Sequence, residues 1–342
     1  METESSLECE RRSGLGHLSI GVEIPSDYVT KVVAILAKRD SGKTVLATKL
    51  EEQLEDNRLP WVALDVKGAH TGIRTHYPVV ILGGRFADIE IKPSDGKTIA
   101  DLIVDQNLTC VIDMSGWTDE EMQLFAADFG NRLYLLHVKN PTPRHIILEE
   151  ADVYVPQKTT KASKESLKAF DRIVRRGRQE GLGVTMISQR PAVINKDVLT
   201  QADIYFFLNL VAEQDIKVVD TLLKNFGVAK EEKSKMIKKI MKFKPGDCLM
   251  VSTWLNKMKN FKVVNKISYH MGQTANFKAQ TIPKFLDVSV SHLINKLNQI
   301  TGSGLPTILN SGKQYTFKDM VMLALYFTGA MVIIGLTFGG GT

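Results

Sequence analysis

The stretch Ala37-Lys-Arg-Asp-Ser-Gly-Lys-Thr44 constrains this chain more than any other. It follows an apolar, β-branched run over 31–37, which suits a strand buried on both faces of a parallel sheet. A helical pattern over 43–55 comes next. Strand, glycine-bearing loop and helix in that order make a cradle for phosphate, because loop amides and the positive helix end all face the anion. In such a cradle Asp40, Ser41 and Gly42 shape the loop, Lys43 reaches the β- and γ-phosphates, and Thr44 holds Mg2+. ATP and Mg2+ are therefore the expected ligands.

Further apolar runs at 60–65, 79–82, 87–91, 109–113, 145–149, 183–188 and 202–210 predict strands, with helical patterns between them. This β-α-β rhythm predicts an α/β fold whose central sheet is mainly parallel and flanked by helices. Thr118 and Glu121 form a capping box that opens a helix running toward residue 136. A basic helix over 163–180 closes at Gly181, and two basic amphipathic helices fill 215–243. A hairpin is expected from 247–252 and 261–269, then one amphipathic helix over 288–300.

A phosphate loop alone suits a kinase, a GTPase or a motor equally, so the second half of the site must decide. The strand expected over 145–149 runs into two acids, Glu149 and Glu150. Those acids suit an Mg2+-coordinating carboxylate at Glu149 and a general base at Glu150 that polarises the attacking water. Asp113, which also ends an apolar strand, competes for the metal. Gln189, at the end of the strand before Arg190-Pro191, has both a donor and an acceptor with which to sense the γ-phosphate.

The net charge of +6 and pI near 9.0 favour nucleic acid or an anionic membrane surface as partner. Cys9, Cys110 and Cys248 have no CxxC or Cys/His spacing, which argues against a disulfide framework or zinc site and for a reduced, cytoplasmic compartment. The polar, charged residues 1–16 contain no signal-peptide core.

Together these segments resemble the HerA/FtsK family, and within it the HerA-like ATPases that lack the N-terminal barrel domain. The resemblance runs from about residue 18 to 284 and is carried by 37–44, Val62-Ala-Leu-Asp65, Ile147-Leu-Glu-Glu-Ala-Asp152, Val155-Pro156, Arg176-Gly-Arg-Gln-Glu-Gly-Leu-Gly-Val-Thr185, Ile187-Ser-Gln-Arg-Pro191 and Gln201-Ala-Asp203. It implies a RecA-like P-loop NTPase that assembles into a hexameric ring and draws double-stranded DNA through its pore. It also implies an arginine inserted into the neighbouring subunit's site, with Arg178 the first candidate and Arg175 and Arg176 the alternatives. Two positions depart from the family pattern: Ala37 replaces a glycine and Glu149 an aspartate. Lys158, Lys161, Lys164 and Lys168 concentrate positive charge suited to a phosphate backbone.

Residues 320–338 form an uncharged apolar run of nearly bilayer-spanning length, with Lys313 and Lys318 on its N-terminal side. That predicts a C-terminal apolar helix acting as a tail anchor in the lipid bilayer, with the catalytic part on the cytoplasmic face. The expected organisation is a lead-in segment 1–29, an ATPase domain 30–284, a linker with an amphipathic helix 285–318 and the tail 319–342. The expected activity is Mg-dependent ATP hydrolysis driving DNA movement in segregation, conjugation or packaging. A membrane-associated regulatory NTP-binding ring that assembles a defence or signalling complex is the alternative, and a small-molecule kinase a distant third.

Overall fold

The computed structural model of the chain describes residues 16–271 and 284–301, all within the compact unit Met1–Ile308. A short antiparallel hairpin, β1 (His17–Ser19) and β2 (Glu23–Pro25), leads into β3 (Val32–Leu36). The two-residue period of β3 sends Val32, Ala34 and Leu36 to one face of the main sheet and Val33 and Ile35 to the other, and both faces are buried. Helix α1 (Lys43–Asp56) covers the second face with Leu46, Ala47, Leu50 and Leu54. In β4 (Trp61–Asp65) the same division sets Val62 and Leu64 opposite Trp61 and Ala63. Burial on both sides is why these strands carry no polar alternation.

The chain continues through β5 (Val80–Leu82), α2 (Gly96–Asp105), β6 (Cys110–Asp113), α3 (Asp119–Lys139), β7 (Arg144–Leu148) and α4 (Lys161–Arg176). Then follow β8 (Leu182–Ser188), α5 (Lys196–Leu199), β9 (Ile204–Phe207), α6 (Glu213–Asn225) and α7 (Lys230–Ile240). The antiparallel hairpin β10 (Asp247–Ser252) and β11 (Lys257–Lys262) closes one side of the sheet, and α8 (Ser291–Thr301) follows. The nine-stranded sheet runs β11-β10-β9-β3-β8-β7-β4-β6-β5 and is parallel from β9 to β5. The capping box is present: Thr118 Oγ1 accepts from Glu121 N at 3.3 Å, and Glu121 Oε2 accepts from Thr118 N at 2.8 Å.

Two elements differ from expectation. Residues 87–91 form no strand and meet the edge of the sheet through the bridge between Leu82 and Ile89 and the bonds of Asp88 to Ile81. Gly83 and Gly84, both with positive φ, turn the chain at the end of β5, and Asp88 Oδ2 accepts from Ile81 N at 2.8 Å, so the segment folds back as a clasp. The hairpin's second strand lies at Lys257–Lys262 instead of 261–269. Its lysines are those of an exposed edge strand, which sheets keep charged to discourage further pairing.

Helix α8 buries Leu293, Ile294 and Leu297 in the core beneath the first face. The apolar run 320–338, and with it the expected tail anchor and lipid contact, lies outside the described residues. Among the described residues no helix is long and apolar enough to cross a membrane.

Candidate active site

Parallel strands bring their C-terminal ends to one edge of a sheet, and ligands bind in the crevice there. Leu36 pairs with Ser188 and Leu148 with Met186, so the ends of β3, β8 and β7 lie level. The segments that follow them are the phosphate loop, Gln189 and the pair Glu149 and Glu150. The order β3-β8-β7 puts two strand spacings, roughly 10 Å, between loop and acids.

The loop is tied down on two sides. Ala37 N donates to Ser188 O at 3.2 Å, Lys38 N to Asn209 O at 2.7 Å, and Gly246 N to Ser41 O at 3.2 Å. Asp40 and Gly42 take left-handed conformations, φ +61° and +97°, which curl the intervening amides into an anion-binding concavity ahead of α1. Ala37 does not, so a methyl group in place of the family's glycine introduces no backbone strain. Asp40 is exposed, Ser41 and Lys43 are buried, and Gly42 and Thr44 are half-buried.

Lys43 Nζ donates to Lys38 O at 3.1 Å. Burial pushes its pKa down, while the charges of Glu150 and then Glu149 act in the opposite sense. Both acids thus share the electrostatic environment of the lysine. Both are also buried, and Glu150 has a left-handed backbone, φ +48°. Glu149 Oε2 lies 3.2 Å from His70 Nε2, and His70 Nδ1 bonds Glu51 Oε1 on α1. Burial disfavours a charged ring at His70, but Glu51, Asp65 and the bonds to Glu149 and Glu51 hold its pKa well above the ordinary value. The imidazolium therefore links the acid to the helix that carries the phosphate lysine. Glu150 pairs with Lys67 Nζ, from the loop after β4.

Sequence reasoning missed Lys67, His70 and Glu51. Neither lysine nor histidine stood in any recognised spacing, and Glu51 lies within a helix with no motif to mark it. The one available signal was that 65–70 follows the C-terminal end of a strand, as every other site segment does.

Asp113 is not beside the loop: β6 lies four strand spacings from β3, roughly 19 Å. It is packed under Gly68 and Gly84 and accepts from Ser115 N at 2.9 Å, a structural role. Gln189 is half-buried at the end of β8, its amide free of hydrogen bonds to the described residues. Arg178 is exposed in the turn before β8, and its charge acts on Lys31, just before β3. It therefore lies at the edge opposite its own phosphate loop, a strand length away. Arg176 is exposed, and Arg175 Nε donates to Asp171 at 2.6 Å. Lys158, Lys161, Lys164 and Lys168 are all exposed, Lys168 paired with Glu165 at 2.7 Å.

Among the described residues no three His, Cys, Asp or Glu side chains form a metal cage. Mg2+ needs none, since it takes one or two protein oxygens, waters and substrate phosphates. Thr44 Oγ1 and Glu149 Oε1, neither hydrogen-bonded among the described residues, are hard oxygen donors that fit it.

No family model matches the chain. The DNA double-strand break repair helicase HerA of Pyrococcus furiosus is 34% identical over 73 residues, 21% of this chain and 13% of the relative. The chain thus matches a small part of that relative's length. The structure of VirB4 of Thermoanaerobacter pseudethanolicus is similar with a TM-score of 0.50 and 10% identity, over 69% of this chain and 90% of that one. The chain is similar to HerA/FtsK-type P-loop ATPases, locally in sequence and more widely in fold. The genome packaging NTPase B204 of Sulfolobus turreted icosahedral virus 2 is similar at TM-score 0.46 and 16% identity, over 68% of this chain and 97% of that one. Of the two structures the VirB4 match alone reaches one half, and at its low identity it speaks for the HerA/FtsK-like fold, not for an activity.

Proposed function

We propose that residues 30–284 form an Mg2+-dependent ATPase that works in a homo-oligomeric, hexameric ring and moves double-stranded DNA from the cytoplasmic compartment. The observation that carries the hydrolytic part is the convergence of Lys43, Glu149 and Glu150 at one edge of the sheet. Asp40, Ser41 and Gly42 hold the loop open to the phosphates, Lys43 grips the β- and γ-groups, and Thr44 and Glu149 hold the metal. Mg2+, when bound, neutralises charge on the β- and γ-phosphate oxygens. Glu150 takes the proton of the attacking water while Gln189 bridges that water and the γ-phosphate. The terminal P–O bond breaks to leave ADP and phosphate. Arg178, too far from its own loop, serves the neighbouring subunit.

DNA as the partner is supported by the local similarity to a DNA repair helicase and by the exposed lysines of α4 and the turn before it. Steady-state ATP hydrolysis with and without duplex DNA tests the proposal. A motor is expected to accelerate with DNA and to lose both basal and stimulated turnover on Lys43→Ala. The same rate at every DNA concentration would leave the regulatory ring as the better reading, which the pairing of Glu150 with Lys67 and of Glu149 with His70 also suits.

A further inference from the structure

Lys67 has no role in the scheme above, yet its ammonium pairs with Glu150 and its charge reaches Lys43. Its backbone is fixed: Asp65 Oδ1 accepts from Lys67 N at 2.9 Å and Asp65 Oδ2 from His70 N at 2.7 Å, with Gly68 left-handed between them. Its side chain is 49% exposed, pairs with the buried Glu150, and repels the ammonium of Lys43. Two ammonium groups that share the field of one acid repel each other, and an anion placed between them relieves the repulsion. Glu150 neutralises only one of them, and in doing so it ties up an oxygen that a general base must direct at water.

The lysine end of this pair is half-exposed, so water screens it and a denser charge can draw the ammonium away. The terminal phosphate of a nucleoside triphosphate, laid beside Lys43, is such a charge; a diphosphate places nothing there. Building on the ATPase reading, the geometry points to Lys67 as the residue that distinguishes triphosphate from diphosphate: it leaves Glu150 for the γ-phosphate, and the exchange frees Glu150 for the water. No bond other than the ion pair changes in this step. The base is therefore masked until its substrate is complete.

The test uses the full chain and its Lys67→Met and Lys67→Arg variants, with equilibrium binding of ADP and of the non-hydrolysable β,γ-methylene analogue of ATP, and single-turnover ATP hydrolysis. Lys67→Met is expected to bind ADP within about twofold of the parent and the ATP analogue at least about tenfold more weakly, a difference of ~1.4 kcal/mol, with slower hydrolysis. Lys67→Arg is expected to restore most of the preference for triphosphate. Equal losses for both nucleotides would show a merely structural lysine. An unchanged preference with faster hydrolysis would show a simple brake on Glu150. Either overturns the inference while leaving the ATPase reading intact. A parent chain that binds neither nucleotide would overturn both.

Discussion

Asp65, Asp113 and Glu149 each stand at the C-terminal end of an apolar strand, and Glu149 differs locally only in the second acid that follows it, yet of the three Glu149 is the one near the phosphate loop. Strand order separates them, and a single sequence does not state it. Asp113→Asn is accordingly expected to leave nucleotide affinity within about twofold of the parent. Gly84→Ala has a different outcome, because a Cβ there would meet Asp113 Oδ2 at 2.1 Å with φ at +69°. Thermal or denaturant unfolding should show a loss of about 2 kcal/mol or more. His145 is a second residue invisible to motif reading. Its Nδ1–H donates to Val29 O at 3.0 Å and its Nε2 accepts from Thr185 Oγ1 at 2.7 Å, which in turn bonds the Tyr28 hydroxyl at 2.6 Å. Burial lowers its pKa from 6.5 to about 4. The unfolded ring takes up a proton first as pH falls, so stability is full above 6.5 and is lost progressively down to about 4. The loss reaches about 3 kcal/mol from this residue, and His145→Gln should flatten that part of the stability profile measured by urea unfolding.

The elements of the phosphate loop were legible because strand, loop and helix are consecutive in the chain. What holds the loop was not. Asn209, just beyond β9, accepts from Lys38 N through its carbonyl, and its Nδ2 donates to Phe243 O at 2.8 Å and Met241 O at 3.2 Å after α7. A residue more than 160 positions from the loop thus ties it to the end of a helix, a contact with no local signature. Asn209→Leu leaves those buried carbonyls unpaired and is expected to destabilise the protein by about 1–3 kcal/mol in denaturant unfolding. The edge elements were misplaced for a related reason. In β11 the lysines of an exposed edge alternate with Met258 and Phe261 too weakly for the period to show, whereas β3, β4, β7 and β8 declare themselves as uninterrupted apolar runs.

Across the whole molecule, the fold class was readable from the alternation of apolar strands and amphipathic helices, and the placing of Arg178 at the far edge from its own loop gives the assembly a specific test. Arg178→Ala should keep nucleotide binding but lose hydrolysis by on the order of 10³-fold. Mixing it with Lys43→Ala chains, themselves inactive, should recover activity, since a ring then contains interfaces joining an intact loop to an intact arginine. No recovery at any mixing ratio would remove Arg178 from the scheme. In the proposed function one pocket both grips ATP and cuts it. The most direct measurement is ATP binding and phosphate release by the Glu150→Gln chain, which keeps the shape and removes the base. ATP affinity is expected to stay within about threefold of the parent while turnover falls by about 10²–10⁴. Phosphate release at the parental rate would contradict the assignment of these acids to the site.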